Sequence, residues 1–489
     1  MTSLLRHNRV LRKSTGPLRF YKRVFTRTVS SRSLPSLSTQ QHSQRTFSTY
    51  ASSPRRAPKY PNEHQAESKS DSNWLIYLLG VSLLGGIGWA YQHHFKYHHK
   101  LEQEEPETEE EGEGLLSSTL INKKLRKHEK TVVTKATRVP RFDTNQLASN
   151  SPIEDYHTEL SNDSGDAWYF GVFDGHAGKY CSQKLANKLV HQVRHNVERL
   201  EIKKDQDLSD QIGQTIIRTF ENLDREIVWG SLGEIIVDTE KAVEASIPAE
   251  ISGSCAIVGY VDTRTMDLYV ANTGDSRAVI GTLGDDGKWS SLEMSIDQDT
   301  SNRKERERLH KEHPGEEKTV ISRERVLGSL APTRAFGDSR YKWNARTQLA
   351  VRDNFFPRMR SPPPHYHTPP YVTATPEIRH RRLTSQDKFL VLASDGLYDM
   401  LSNEEIVFLV GTYLRKRNSE PTIQEQKSHS SKKSKWAYTD ENAATHLIRN
   451  ALGGSSRKEL SKMLSVEAPS SRNLRDDITV TVIFFEDSV

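Results

Sequence analysis

Four apolar runs in this chain each deliver or leave an aspartate. They are WYFGVFDGHAGKY at 168–180, LYVANTGDSRAVI at 268–280, KFLVLASDGLYDM at 388–400 and RNLRDDITVTVIFF at 472–485. In each, a β-like stretch meets an Asp beside Gly, Ser or a second Asp. An unpaired charge at the end of a buried strand is strongly penalised. Several such ends converging on one point make sense when a hard cation sits there. Aspartate oxygens, backbone carbonyls and water are the ligands that Mg²⁺ or Mn²⁺ prefers. Any single member could equally be a turn residue, so the set carries the argument.

The rest of the composition limits where such a site can lie. Only 34% of the 489 residues are hydrophobic, which predicts long polar segments around and inside a folded part. Charge is unevenly spread. Residues 1–60 hold thirteen Lys or Arg and no acid; taking those thirteen from the net +5 of the chain leaves −8 for the remainder. The basic balance is therefore local, and a nucleic-acid-binding reading is excluded.

The first 60 residues, rich in Arg and Ser with scattered Leu, Phe and Tyr, have the composition of a mitochondrial transit peptide. A basic tail for acidic partners is the plainer alternative. Residues 74–91, WLIYLLGVSLLGGIGWAY, carry no charge. As a helix they reach roughly 27 Å, close to the hydrocarbon thickness of a bilayer. Trp74, Tyr77, Trp89 and Tyr91 lie near the ends, as interfacial aromatics do. The segment reads as one membrane-spanning helix in the inner mitochondrial membrane, with the following domain in the matrix or the intermembrane space. Residues 92–135 then read as a polar, acidic linker, with eight Glu between Glu102 and Glu113.

The pattern changes from about Arg141, and a catalytic domain is expected over 136–489. Strand-like runs recur at 168–173, 255–261, 268–271, 389–393 and 478–485. Residues 181–200 and 209–228 have helical spacing, with Leu185, Leu189, Val193 and Val197 in one and Ile212, Ile216, Phe220 and Leu223 in the other. Such mixing predicts an α+β fold with helices against sheets. Insertions are expected near 300–317 (charged, helical), 361–370 (Pro-rich) and 415–436 (polar, low complexity). The two cysteines, Cys181 and Cys255, cannot make a zinc cluster alone. They read as small buried hydrophobes.

The ordered series IEDYH, FGVFDGHAG, SGSCA, ANTGDSRA, APTRAFGD, VTATPEI, LASDGLYD and RDDITV resembles the metal-dependent protein phosphatases of type 2C. It covers almost all of residues 150–487. NSPIEDY, NRKERERLHKEHPGEE, VLGSLAPTRAFGDSRYKW and SQDKFLVLASDGLYDML are similar to the mitochondrial pyruvate dehydrogenase phosphatase subgroup. The Lys342–Trp343 pair is part of that likeness.

The resemblance implies a four-layer α-β-β-α sandwich, two antiparallel sheets flanked by helices, with metals in a cleft at one end. It implies that Asp174 and the carbonyl of Gly175 hold Mg²⁺ or Mn²⁺ together with Asp395 and Asp476. Glu154 would serve a second ion, and Asp275 would join Asp395 at a third. Asp477 would support them. A metal-activated water would attack phosphorus, and His176 would protonate the leaving oxygen as general acid. The expected substrate is a phosphoserine or phosphothreonine protein of the mitochondrion, with pyruvate dehydrogenase the first candidate. A catalytically silent scaffold and a hydrolase of small phosphoesters are the alternatives.

One departure from the family pattern matters. Many members carry an Arg four residues before the Glu of the ED motif, where it grips substrate phosphate; here that position is Asn150. Asn cannot form a charged two-pronged fork. Arg141 and Arg340 are candidate substitutes. Arg334 reads as a structural ion pair more readily than as a phosphate contact.

Overall fold

The computed structural model describes residues 115–485 apart from 137, 204, 236–250, 355, 358 and 419–433. The segments read as a transit peptide (1–60) and as a membrane span (74–91), and the glutamate run, lie outside the described residues. Among the described residues, no helix is long and apolar enough to cross a membrane.

Two antiparallel sheets form the centre. The six-stranded sheet runs in the order Lys130–Val133, Arg141–Leu147, Ile478–Phe484, Asp387–Ala393, Arg277–Leu283, Trp289–Glu293. The five-stranded sheet runs Glu377–Arg382, Asp267–Thr273, Ala256–Asp262, Ala167–Phe173, Tyr156–Ser161. Strand side chains alternate between faces, and here both faces of the central strands are covered. Phe389, Val391 and Ala393 enter one apolar cluster, while Leu390 and Leu392 enter another. Tyr169 and Phe173 likewise part from Phe170 and Val172. Double coverage explains why these strands read as unbroken apolar runs rather than alternating ones.

The middle cluster joins the two sheets through Phe142, Phe170, Ile257, Leu390 and Ile483. The outer clusters pack helices on each sheet. Helices Tyr180–Glu198 and Leu208–Ile235 bury Leu185, Leu189, Val193, Ile212, Ile216 and Phe220 against the five-stranded sheet. Helices Asn403–Asn418 and Ala443–Leu452 bury Ile406, Val410, Leu447 and Ile448 against the six-stranded one. This is the expected α-β-β-α order.

Three boundaries differ from the sequence reading. Helix Ser118–Leu125 and strand Lys130–Val133 occupy what reads as linker. Ile121 and Leu125, one turn apart, are buried in the outer core, and the Asn145 side chain donates to the Leu125 carbonyl at 2.8 Å. An eight-residue helix with two buried positions is too short to give a periodic signal. The charged insertion is helical only over Arg303–Glu312. The start of the insertion at 415–436 continues helix Asn403–Asn418, and 419–433 lie outside the described residues.

Candidate metal centre

Strand register brings the aspartates to one end of the sandwich. Ala393, last of its strand, pairs with Arg277 on one side and Val480 on the other. Asp395, Asp275 and Asp476 therefore leave the six-stranded sheet at the same edge. Phe173 pairs with Tyr156 in the other sheet, which sets Asp174 beside Glu154 and Asp155. The Cys255 N–H donates to the Asp174 carbonyl at 2.9 Å and closes that end.

Carboxylate oxygens of Asp174, Asp275 and Asp395 lie within 4.8 Å of one another. Glu154, Gly175, His176 and Asp476 line the same cleft of about 780 Å³. The Asp395 Oδ1 is buried with no hydrogen-bond partner in the structure. Burial first, then neighbouring negative charge, pushes Asp174 and Asp395 well above the usual carboxylate range. Burial likewise raises Asp275, Asp476 and Glu154. An oxygen-only, crowded and unsatisfied donor set suits a hard divalent cation. The residues present therefore fit Mg²⁺ or Mn²⁺.

Packing around the cluster is tight. A Cβ on Gly175 would stand 2.2 Å from the Glu154 carbonyl oxygen, so only glycine lets the two loops touch. Asp477 accepts from the backbone N–H groups of Ser149, Asn150 and Glu154 at 2.5, 2.9 and 2.8 Å, and from Asn150 Nδ2 at 3.0 Å. It organises the loop that carries Glu154. Asp155 is buried beneath, accepting from Ser394 Oγ at 2.8 Å and Thr479 Oγ1 at 2.7 Å. Burial, then the Asp477 charge, lifts it to about 8.

His176 sits on a two-residue strand. Gly175–His176 pairs with Gly253–Ser254, which pairs in turn with Phe336–Gly337. This brings His176 Nε2 to 2.7 Å from Asp338 Oδ2. A Cβ on Gly253 would lie 2.1 Å from that ring nitrogen. Burial pulls the imidazole down, but Asp338, Asp275 and Glu154 outweigh it, and the pKa is raised. Asp338 is itself buried and left-handed at φ 49°, a conformation that Asp tolerates better than most residues. Its loop is pinned from below. Lys342 Nζ donates to Asp224 Oδ1 and Oδ2 at 2.7 and 2.8 Å, and the Gly337 N–H donates to Asp224 Oδ1 at 2.9 Å. Trp343 Nε1 donates to the Val228 carbonyl at 2.8 Å.

The arginine candidates divide. Arg141 is buried and committed to Asp143 at 2.8 and 2.7 Å and to Tyr413 at 2.8 Å. This removes it as a phosphate grip: its strand lies inside the sheet and its fork is already filled. Arg334 is a structural ion pair, 2.6 Å from Glu305. Asn150 is held by Asp477 and is not among the cleft-lining residues. Arg340 does line the cleft. Sequence reasoning missed Arg472, which lines the cleft and pairs with Asp476 at 2.5 Å. It also missed the partnership of Asp338 with His176, although AFGD is one of the motifs. Both cysteines are buried as expected, but Cys255 also donates its thiol to Asp275 Oδ1 at 3.0 Å.

Comparison with known proteins agrees with this architecture. The protein phosphatase 2C family profile matches residues 137–458. A protein phosphatase 2C homologue of Schizosaccharomyces pombe is 38% identical over 408 residues, covering 80% of this chain and 88% of that one. The mitochondrial pyruvate dehydrogenase (acetyl-transferring) phosphatase 1 of Saccharomyces cerevisiae is 37% identical over 424 residues, covering 76% and 74%. The corresponding human phosphatase 2 is 36% identical over 447 residues, covering 76% and 83%. The chain belongs to the protein phosphatase 2C family. It is a metal-dependent protein serine/threonine phosphatase, of a family that uses Mg²⁺ or Mn²⁺.

Proposed function

We propose that this phosphatase acts on a mitochondrial phosphoprotein, with pyruvate dehydrogenase as the first substrate to test. The observation that carries the reaction is the convergence of Asp174, Asp275 and Asp395 within 4.8 Å, with Asp395 Oδ1 unsatisfied. The names of the yeast and human relatives support the organelle and the substrate. The acid-free, basic residues 1–60 agree with the organelle independently.

Asp174, the Gly175 carbonyl, Asp395, Asp476 and Glu154 are the groups to hold two ions, and Asp275 with Asp395 a third. Bound there, the ions supply positive charge for the phosphoryl oxygens and acidify an attacking water. The chain's own residues do the rest. Asp477 fixes the Glu154 loop. Asp338 aims the His176 ring, and His176 gives its proton to the departing serine or threonine oxygen.

Residues 74–91 tether the enzyme to the inner membrane. Action on pyruvate dehydrogenase requires the catalytic domain on the matrix side, which protease protection in intact and opened mitoplasts would read.

The reaction is tested by phosphate release from phosphorylated pyruvate dehydrogenase by the full-length chain, with Mg²⁺ or Mn²⁺ and with chelator. Metal-dependent release is expected. Release from other phosphoproteins alone would discard the substrate, and release from none would discard the reading.

A further inference from the structure

The cleft is larger than one phosphoryl group needs. At about 780 Å³ it falls in the range of sites that engulf whole ligands, ~300–1,000 Å³. Its two sides differ in charge. One side carries the candidate metal ligands, with Asp399, and with Arg472 already paired to Asp476. The other is built from residues 325–360 and presents Arg325, Arg340 and Arg360 beside Ser329 and Tyr341.

None of these three arginines has a carboxylate partner among the described residues. Arg325 Nη1 donates only to the Ser329 carbonyl, at 3.3 Å, and Arg340 Nη2 to the Ser361 carbonyl, at 3.2 Å. Arg340 Nε is buried with no partner at all. Arg308 and Arg334, in the same part of the chain, are by contrast both closed on Glu305. The one carboxylate on the arginine side, Asp338, is taken by His176.

We propose that this wall binds carboxylate side chains flanking the phosphorylated residue, so that the preferred substrate is an acidic phosphopeptide segment. The inference rests on the phosphatase reading and adds its substrate class. A guanidinium fork matches a carboxylate in shape and charge. With cations balancing the facing carboxylates, the arginine side keeps its positive charge for the polypeptide around the phosphate.

The test compares two synthetic phosphoserine peptides, identical except that Asp and Glu flanking the phosphoserine are replaced by Asn and Gln. The full-length chain is assayed with Mn²⁺, with p-nitrophenyl phosphate as a control on the wild type. The acidic peptide should have a kcat/KM about tenfold higher, a gap that closes as salt screens the wall. In the combined variant Arg325→Gln, Arg340→Gln, Arg360→Gln the ratio between the peptides should fall to about one. Because the readout is a ratio within one protein, a shared loss from misfolding cannot imitate it.

Equal turnover of the two peptides by the wild type, with p-nitrophenyl phosphate still hydrolysed, would overturn the inference alone. So would an equal loss on both peptides in the variant with the tenfold ratio kept, because the arginines would then serve phosphate or fold. No hydrolysis of any of the three compounds would overturn the phosphatase reading and this inference with it.

Discussion

Two acidic centres in this molecule are built in opposite ways. Glu305, 3% exposed, accepts from Arg308, Arg334 and Thr333 through five hydrogen bonds of 2.6–3.1 Å. Burial opposes its charge, yet the two guanidiniums hold its pKa down to about 2. Asp174, Asp275 and Asp395 are also drawn out of water, but their neighbours are each other, and their pKa values go up. The first centre is electrically complete within the chain. The second is complete only when something positive is added. A buried charge network that closes on itself is structural, whereas one left open marks the place where the protein expects a ligand.

The contrast can be broken most directly at Asp174. Asp174→Asn should lower metal-dependent phosphatase turnover by about a thousandfold or more, the scale of losing a principal metal contact. In chelator the same variant should be no less stable than wild type, because a repelling charge has gone. Added Mn²⁺ should raise the melting temperature of the wild type by mass action and that of the variant much less. Near-normal turnover would remove Asp174 from the metal set.

Glu305→Ala should behave in the reverse sense. It leaves the mostly buried Arg334 guanidinium without its carboxylate and Arg308 with only the half-exposed Glu312, at about 3–5 kcal/mol of stability, read by denaturant unfolding. Metal dependence should survive. A loss below ~1 kcal/mol would mean that the network is ornamental and the comparison misdrawn.

His176 lies between the two designs, since its partner Asp338 is internal and the task proposed for it is external. His176→Ala should cost about a hundredfold on phosphoprotein. The loss should be clearly smaller on activated aryl phosphates, whose leaving groups need little protonation. Asp338→Asn should give the same pattern with smaller amplitude. Equal losses on both substrate types would argue against proton donation by His176.

How much of this was legible in sequence depends on how local each signal is. The long strands at 168–173, 389–393 and 478–485 announce themselves because both of their faces are buried. The candidate metal carboxylates Asp174, Asp275, Asp395 and Asp476 were legible because each stands at the end of such a strand. The two-residue strands Gly175–His176, Gly253–Ser254 and Phe336–Gly337 have no period to read. The contact of His176 with Asp338 spans 162 residues and that of Asp224 with Lys342 spans 118, so only the fold reveals either. Glu305 sits in a helix so charged that every residue looks solvated; its burial follows from the docking of Arg334 and Thr333. Arg141 misled for the same reason in reverse. An arginine at the head of the domain looks available, yet its strand is second in a six-stranded sheet, and Asp143 is beside it on the same face.

Acid sharpens the comparison with the smallest effect. Glu305 is held down to about 2 in the folded chain against an ordinary glutamate value of 4.5, so the unfolded chain takes the proton first as pH falls. The stabilisation is fully present above the unfolded value and is lost as pH drops through the folded one. Between pH 7 and pH 3 the loss is about 2 kcal/mol, from about 1.4 kcal/mol per unit of differential titration. Other groups titrate over the same range, so the measurement is a difference. The stability gap between wild type and Glu305→Gln, followed by urea unfolding in chelator, should be flat from pH 7 to about pH 5 and narrow below it. The cleft carboxylates have raised values and opposite sign: protonation relieves them, and the gap between wild type and Asp174→Asn should also close, but starting from higher pH. A Glu305 gap that stays constant down to pH 3 would mean that the carboxylate is not held ionised by its arginines, and that the two centres differ in geometry but not in charge.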